Sequence, residues 1–186
     1  MTEQIIIAGF GGQGVMSMGQ LLAYAGMLEG KNVSWLPSYG PEMRGGTANC
    51  NVIITDDMVA SPIVTQASVV IALNKPSLDK FESAVVPGGM LFVNSSLIDR
   101  KSVREDIDVF YIPANEIADQ LGNPRIANTV VLGAYLAKAE GSISPSSVIE
   151  ALKKVLGPGK QDLIPLNEEA LKRGAEQAAI VLESAH

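Results

Sequence analysis

Short apolar runs alternate with stretches of helical period along this chain, the pattern of an α/β fold. Gln4 to Ala8 is a β-branched apolar run ending in glycines and predicts a buried first strand. Val15, Met18, Leu21, Leu22, Ala25 and Leu28 then recur at three- and four-residue spacing, with Gly30 where a helix C-cap glycine belongs. Asn32 to Leu36 predicts a second strand, Thr47 to Ile54 a third, and Asp56-Asp57 a turn into a short fourth over Met58 to Ala60. The connection from Leu36 to Thr47 holds Pro37, Gly40, Pro41, Gly45 and Gly46 and shows no helical period. A parallel crossover needs a helix, so the third strand is expected to run antiparallel to the second.

Ser68 to Leu73 and Met90 to Val93 read as buried strands, with a helix over Pro76 to Ala84 between them that Asn74 caps. Ile107 to Ile112 predicts an edge strand. The last third is helical: Arg125 to Ala139 is one amphipathic run, Ser144, Pro145 and Gly157 frame a second, and Asn167 with Glu168 and Glu169 opens a third. The expected fold is a three-layer Rossmann-like α/β domain with a mixed, mostly parallel sheet and a helical C-terminal third. A length of 186 residues suits one domain over residues 1–186, with Gly157-Pro158-Gly159 separating two helices rather than two domains.

Composition narrows the function. Apolar residues make up 47% of the chain and charged residues 18%, so a large face is expected to be buried, inside the fold or against partners. A formal net charge of -6 repels phosphate backbones and anionic membranes, which disfavours nucleic acid as a partner. The apolar runs are too short to span a bilayer and no basic stretch leads into one at the N-terminus, so the expected location is the cytoplasm. Cys50 is the sole cysteine and His186 the sole histidine, which leaves no intrachain disulfide, four-cysteine cluster, cysteine-histidine zinc site or serine-histidine-acid triad.

In a mostly parallel sheet, ligands bind off the carboxyl ends of the strands. That edge is expected to gather Gly9 to Gly14, Pro37 to Tyr39, Asn74-Lys75 and Asn94 to Ser96, joined by Arg44, Gly45, Gly46 and Thr47 if the third strand is antiparallel. Gly9-Phe10-Gly11-Gly12-Gln13-Gly14 fits GxGxxG between a strand and a helix, where bare amides and the helix N-terminus favour an anion. The acidic residue that holds a dinucleotide's ribose is absent: Leu36, Pro37 and Ser38 fill its place, which disfavours NAD and FAD. A turn that serves only tight strand-to-helix packing, or a partner's close approach, stays open beside the anion reading. Arg44 beside glycine amides suits a phosphate or carboxylate; a loop-stiffening pair with Glu42 is the alternative. Asn128 is a candidate buried polar contact, with helix packing as its alternative role, and Trp35 is expected in the core or at an interface.

Three stretches carry a family resemblance: Ala8 to Val15 (AGFGGQGV), Pro37 to Cys50 (PSYGPEMRGGTANC) and Asn74 to Phe81 (NKPSLDKF). Pro87-Gly88-Gly89 and Leu121-Gly122-Asn123 through Ala127-Asn128 add to them. Over residues 4 to 140 the chain resembles the gamma subunit of the 2-oxoacid:ferredoxin oxidoreductases, of the 2-oxoglutarate/2-oxoisovalerate type. The resemblance implies a multi-subunit complex that decarboxylates a 2-oxoacid oxidatively, passes the acyl group to coenzyme A and delivers electrons to ferredoxin. It implies alpha and beta subunits, with or without a small delta subunit, that hold thiamine diphosphate, Mg and the iron-sulfur cluster, while the gamma chain binds none of these and is inactive alone. It also places coenzyme A near the gamma chain, giving Gly9, Gly11, Gly12, Gln13, Gly14, Arg44, Gly45, Gly46, Thr47 and Asn128 a shared role in holding its phosphates or closing its channel. No catalytic residue and no metal ligand is expected. A stand-alone nucleotide-binding regulatory or scaffold protein, and a free-standing flavin or nicotinamide oxidoreductase, are the competing readings.

Overall fold

The computed structural model describes residues 1–38, 48–139 and 141–183. In chain order the strands are β1 (Thr2–Gly9), β2 (Asn32–Ser38), β3 (Ala48–Thr55), β4 (Ala67–Ala72), β5 (Val85–Asn94) and β6 (Asp108–Ile112). The helices are α1 (Val15–Leu28), α2 (Lys75–Phe81), α3 (Ala114–Gln120), α4 (Ala127–Lys138), α5 (Pro145–Leu156) and α6 (Ile164–Glu183), with 3₁₀ turns at Glu82–Ala84, Pro124–Ile126 and Pro158–Leu163. They build a six-stranded sheet in the order β2-β3-β1-β4-β5-β6. The β1, β4, β5 and β6 neighbours pair in parallel, whereas β3 runs antiparallel to both β2 and β1. The sheet is therefore mixed and mostly parallel, with the reversal at β3 expected from the absence of helical period before it in the sequence.

Side chains alternate across a strand, so β1 splits its isoleucines between two cores. Ile5 and Ile7 join Val69, Ile71, Phe92 and Phe110 beneath α1, α4, α5 and α6, and Ile6 joins Val70, Leu91 and Val93 on the opposite face with Leu78 of α2. Helices thus cover both faces of the sheet, but unequally. On the thicker face α4 and α6 approach until their backbones touch: a Cβ on Gly133 would meet the Leu171 carbonyl, and one on Gly174 the Val130 carbonyl. No helix among the described residues is long and apolar enough to cross a membrane.

Two expectations need correction. Met58 to Ala60 forms no strand, and Met58 is 90% exposed. A hairpin partner for β3 has nowhere to pair, because β2 and β1 already occupy both of its sides. The last helix opens at Ile164, not at Asn167. Pro165 is tolerated in a first helical turn, and Asn167 sits one turn in, its Nδ2 donating 2.8 Å to the Leu163 carbonyl and its Oδ1 accepting 3.2 Å from Thr129. Helix α3 lies outside those expectations: it is only seven residues long, its N-cap residue Pro113 has no side chain able to cap it, and its leading N–H groups are met instead by the distant Asn94 and Ser96.

The foreseen caps are present. Asn74 Oδ1 accepts from the Ser77 N–H at 2.9 Å, and Ser144 Oγ from the Ser147 N–H at 3.3 Å ahead of Pro145. Gly30 and Gly157 both take the positive φ that follows a helix end.

Candidate functional site

The chain leaves β1 for β2 on one side of the sheet and leaves β4 for β5 on the other, so the crossovers part between β1 and β4. Such a switch point opens a crevice beyond the strand ends. The turn from Gly9 to Gly14 fills one lip of it. Gly12 and Gly14 have φ of +87° and +78°, and a Cβ at Gly14 would also strike the Asn128 side chain. Glycine is needed at position 14 on both counts.

Helix α1 starts directly behind this turn with no side chain capping Gly14 and no acidic residue in its first turn. Its leading N–H groups lack intrahelical partners, and its dipole is left unneutralised. Gln13 pins the turn: Oε1 accepts from the Phe10 N–H at 2.5 Å, while Nε2 donates across the crevice to the Leu73 carbonyl at the end of β4, at 3.4 Å.

The opposite lip comes from later in the chain. Asn94 ends β5 almost fully buried, and its Nδ2 donates to the Leu73 carbonyl at 3.3 Å and to Asn115 Oδ1 at 2.8 Å. Ser96 Oγ accepts from the Asn115 N–H at 3.1 Å, which ties α3 to the same edge. Asn128, in the first turn of α4, donates its Nδ2 to the Gly14 carbonyl at 3.4 Å across 114 residues of sequence. Between the two lips lies a cleft of 210 Å³ bounded by Gly12, Gln13, Leu73, Asn94, Asn115, Arg125 and Asn128. A wider cavity of 610 Å³ adjoins it through Arg125 and Asn128 and runs between α1, α5 and α6 past Lys160.

The structure therefore brings Gly9, Gly11, Gly12, Gln13, Gly14 and Asn128 to one edge. Arg44, Gly45, Gly46 and Thr47 lie outside the described residues. The residues that flank them are anchored there all the same: Ala48 pairs with Gly9, and Ser38 and Ala8 both pair with Asn49. Lys75, also at this edge, is more than half exposed and lies 3.8 Å from Asp99. Arg125, Asn94 and Asn115 were missed as site residues. Asn94 stands in the predicted strand-end cluster, but Asn115 and Arg125 follow elements whose placement no local pattern gives away.

Cys50 and Trp35 lie under the N-terminal half of α1, where a Cβ on Gly19 would meet both. The Cys50 thiol, fully buried, donates to the Val15 carbonyl at 3.6 Å. Burial pushes it up to about 12 against the opposing pull of the Trp35 indole. It is a packing thiol rather than a nucleophile.

Similarity to known proteins agrees with this architecture. The ketoisovalerate oxidoreductase subunit VorA of Methanothermobacter thermautotrophicus is 43% identical over 94% of this chain, which spans only 36% of that relative. The 2-oxoglutarate synthase subunit KorC of Methanocaldococcus jannaschii is 31% identical over 96% of this chain and 95% of its own length. Among solved structures, the gamma subunit of a keto/oxoacid ferredoxin oxidoreductase from Geobacter sulfurreducens superposes with a TM-score of 0.80 at 30% identity, covering 96% of this chain and 99% of that one. The 2-oxoglutarate:ferredoxin oxidoreductase of Magnetococcus marinus, solved with 2-oxoglutarate, coenzyme A and succinyl-CoA bound, shares the fold with a TM-score of 0.86 at 23% identity, over 96% of this chain and 31% of that one. Residues 4–177 match the family described as pyruvate ferredoxin/flavodoxin oxidoreductase, and this chain belongs to that family.

Proposed function

We propose that this chain is the gamma subunit of a 2-oxoacid:ferredoxin oxidoreductase and supports the coenzyme A-dependent oxidative decarboxylation of a 2-oxoacid. Alpha and beta subunits, with or without a delta subunit, hold the thiamine diphosphate, Mg and iron-sulfur cluster and serve ferredoxin. The gamma chain contributes the edge at which the acyl acceptor's anionic part is held. Identity of 43% to a ketoisovalerate oxidoreductase subunit, against 31% to a 2-oxoglutarate synthase subunit, favours a branched-chain 2-oxoacid as substrate of the complex.

The observation that carries this reading is the uncapped start of α1 behind the Gly9–Gly14 turn, on the switch-point crevice, with Arg125 across the cleft. The molecule as a whole is acidic, so a polyanion such as coenzyme A needs a local collection of N–H donors and one guanidinium to be retained. Arg44, Gly45, Gly46 and Thr47 are assigned to the same task, because the residues that flank them, Ser38 and Ala48, sit at this edge.

The test is steady-state kinetics of the assembled complex carrying Arg125→Ala or Arg44→Ala, with a dye acceptor and a panel of 2-oxoacids. A guanidinium-phosphate contact is worth about 1.5–3 kcal/mol, so each substitution is expected to raise the KM for coenzyme A by ~10-fold or more. The KM for the 2-oxoacid stays unchanged. If neither variant alters the coenzyme A dependence, this edge does not hold the acceptor.

A further inference from the structure

The amide side chains that bound the 210 Å³ cleft share a polarity that no single residue reveals. Gln13 Oε1 is engaged by the Phe10 N–H, and Asn128 Oδ1 by the Thr129 N–H at 3.0 Å. Asn94 Oδ1 accepts from two main-chain N–H groups, those of Ser96 and Ala114, at 3.3 Å each. A main-chain N–H can only donate, so these contacts fix which end of the Asn94 amide is oxygen. Its Nδ2 must then be the atom that reaches the Leu73 carbonyl and Asn115 Oδ1.

This polarity passes one residue further. An NH₂ group offers only donors, so Asn115 is obliged to turn its oxygen toward Asn94. Its own Nδ2 makes no hydrogen bond with any described residue, and Asn115 lines the cleft. Arg125, exposed on the same wall, forms no ion pair among the described residues. The oxygens of all four lining amides thus already accept from donors within the fold, and what these side chains have left to offer the cleft is N–H.

We propose that Asn115, oriented by Asn94, donates hydrogen bonds to a phosphate or carboxylate oxygen bound in this cleft, which thereby selects acceptor-only groups. The assignment rests on the reading that this edge takes an anionic ligand. The volume, 210 Å³, is below that of pockets that enclose a drug-sized ligand, about 300–1,000 Å³. It admits the oxyanion end of a larger molecule rather than the whole. Asn115 touches the ligand, and Asn94 is a positioning residue that acts through it.

Inorganic diphosphate titrated into the full chain, followed by NMR of the side-chain amide groups, tests this directly. The Asn115 NH₂ signals are expected to shift on saturation, and Asn115→Leu to weaken diphosphate binding about tenfold, the loss of one hydrogen bond to a charged group. Unchanged affinity in Asn115→Leu overturns the proposal. Asn94→Asp keeps both main-chain acceptor contacts but cannot donate, so Asn115 turns its oxygen into the cleft and affinity falls. In the Asn115→Leu background the same change is expected to cost little more; an equal cost in both backgrounds means that it acts by charge alone and removes the positioning role.

Kinetics of the assembled complex with Asn115→Leu distinguish the source of the oxyanion. A raised KM for coenzyme A identifies a phosphate, and a raised KM for the 2-oxoacid its carboxylate. Diphosphate binding that depends on Asn115, in a chain whose complex oxidises no 2-oxoacid, supports the site and overturns the functional reading instead.

Discussion

At the level of single residues, the chemistry of this chain is decided by what surrounds each group. Cys50 sits beneath α1 with its thiol neutral, donating to Val15, and burial keeps it so up to about pH 12. The unfolded thiol ionises near 9. Between these values the native state binds the extra proton, so this group's contribution to stability is intact below pH 9 and is lost as pH rises toward 12. The slope approaches ~1.4 kcal/mol per pH unit. Denaturation of the wild type and of Cys50→Ala across pH 8–11 should therefore converge as the solution becomes alkaline. Parallel curves would show that the thiol is solvated.

The residue scale is also where the sequence was read most fully. Gly14 could be singled out from its place between a strand and a helix, and its positive φ and the approach of Asn128 give that choice its physical reason. Asn115 could not, because its significance depends on an amide relay that starts at Asn94, and nothing in the local sequence of either residue encodes the other. Arg125 marks the start of a helical run in the sequence, and only the arrival of α4 at the crevice makes it part of the cleft wall.

At the level of elements, hydrophobic period and cap residues located every long strand and helix, since these signals are local. Strand pairing is not local. Whether Met58 to Ala60 could add to the sheet depended on β3 already being flanked, which is a property of the topology. The same holds for the contact between α4 and α6, whose small residues Gly133 and Gly174 look like mere interruptions of a helical pattern. Each lets a backbone carbonyl of the facing helix approach where a methyl group would stand. Gly174→Ala is expected to force the pair apart at a cost of about 1–3 kcal/mol, offset only partly by better helix propensity. Urea denaturation should show a lower midpoint with an unchanged m-value. Gly159→Ala, with no atom near its Cβ, is the control and should shift stability by less than about 0.5 kcal/mol.

For the whole molecule, the two hydrophobic clusters lie back to back on opposite faces of one sheet and share five of its strands, β1, β3, β4, β5 and β6. Neither face can separate without exposing the other, so the chain is expected to unfold as one cooperative unit. Trp35 fluorescence reports on the α1 side of the sheet and far-ultraviolet circular dichroism on all helices. Coincident transitions by the two probes are the expected result, and two resolved transitions would divide the chain into separate folding units.

The reversed strand β3 carries one more consequence. Because β2 ends and β3 begins at the sheet edge that carries the Gly9–Gly14 turn, the chain departs from and returns to neighbouring rungs, Ser38 and Ala48. If this edge holds coenzyme A as proposed, exchange of residues 39–47 between relatives is expected to alter the KM for coenzyme A while β2 and β3 keep their pairing.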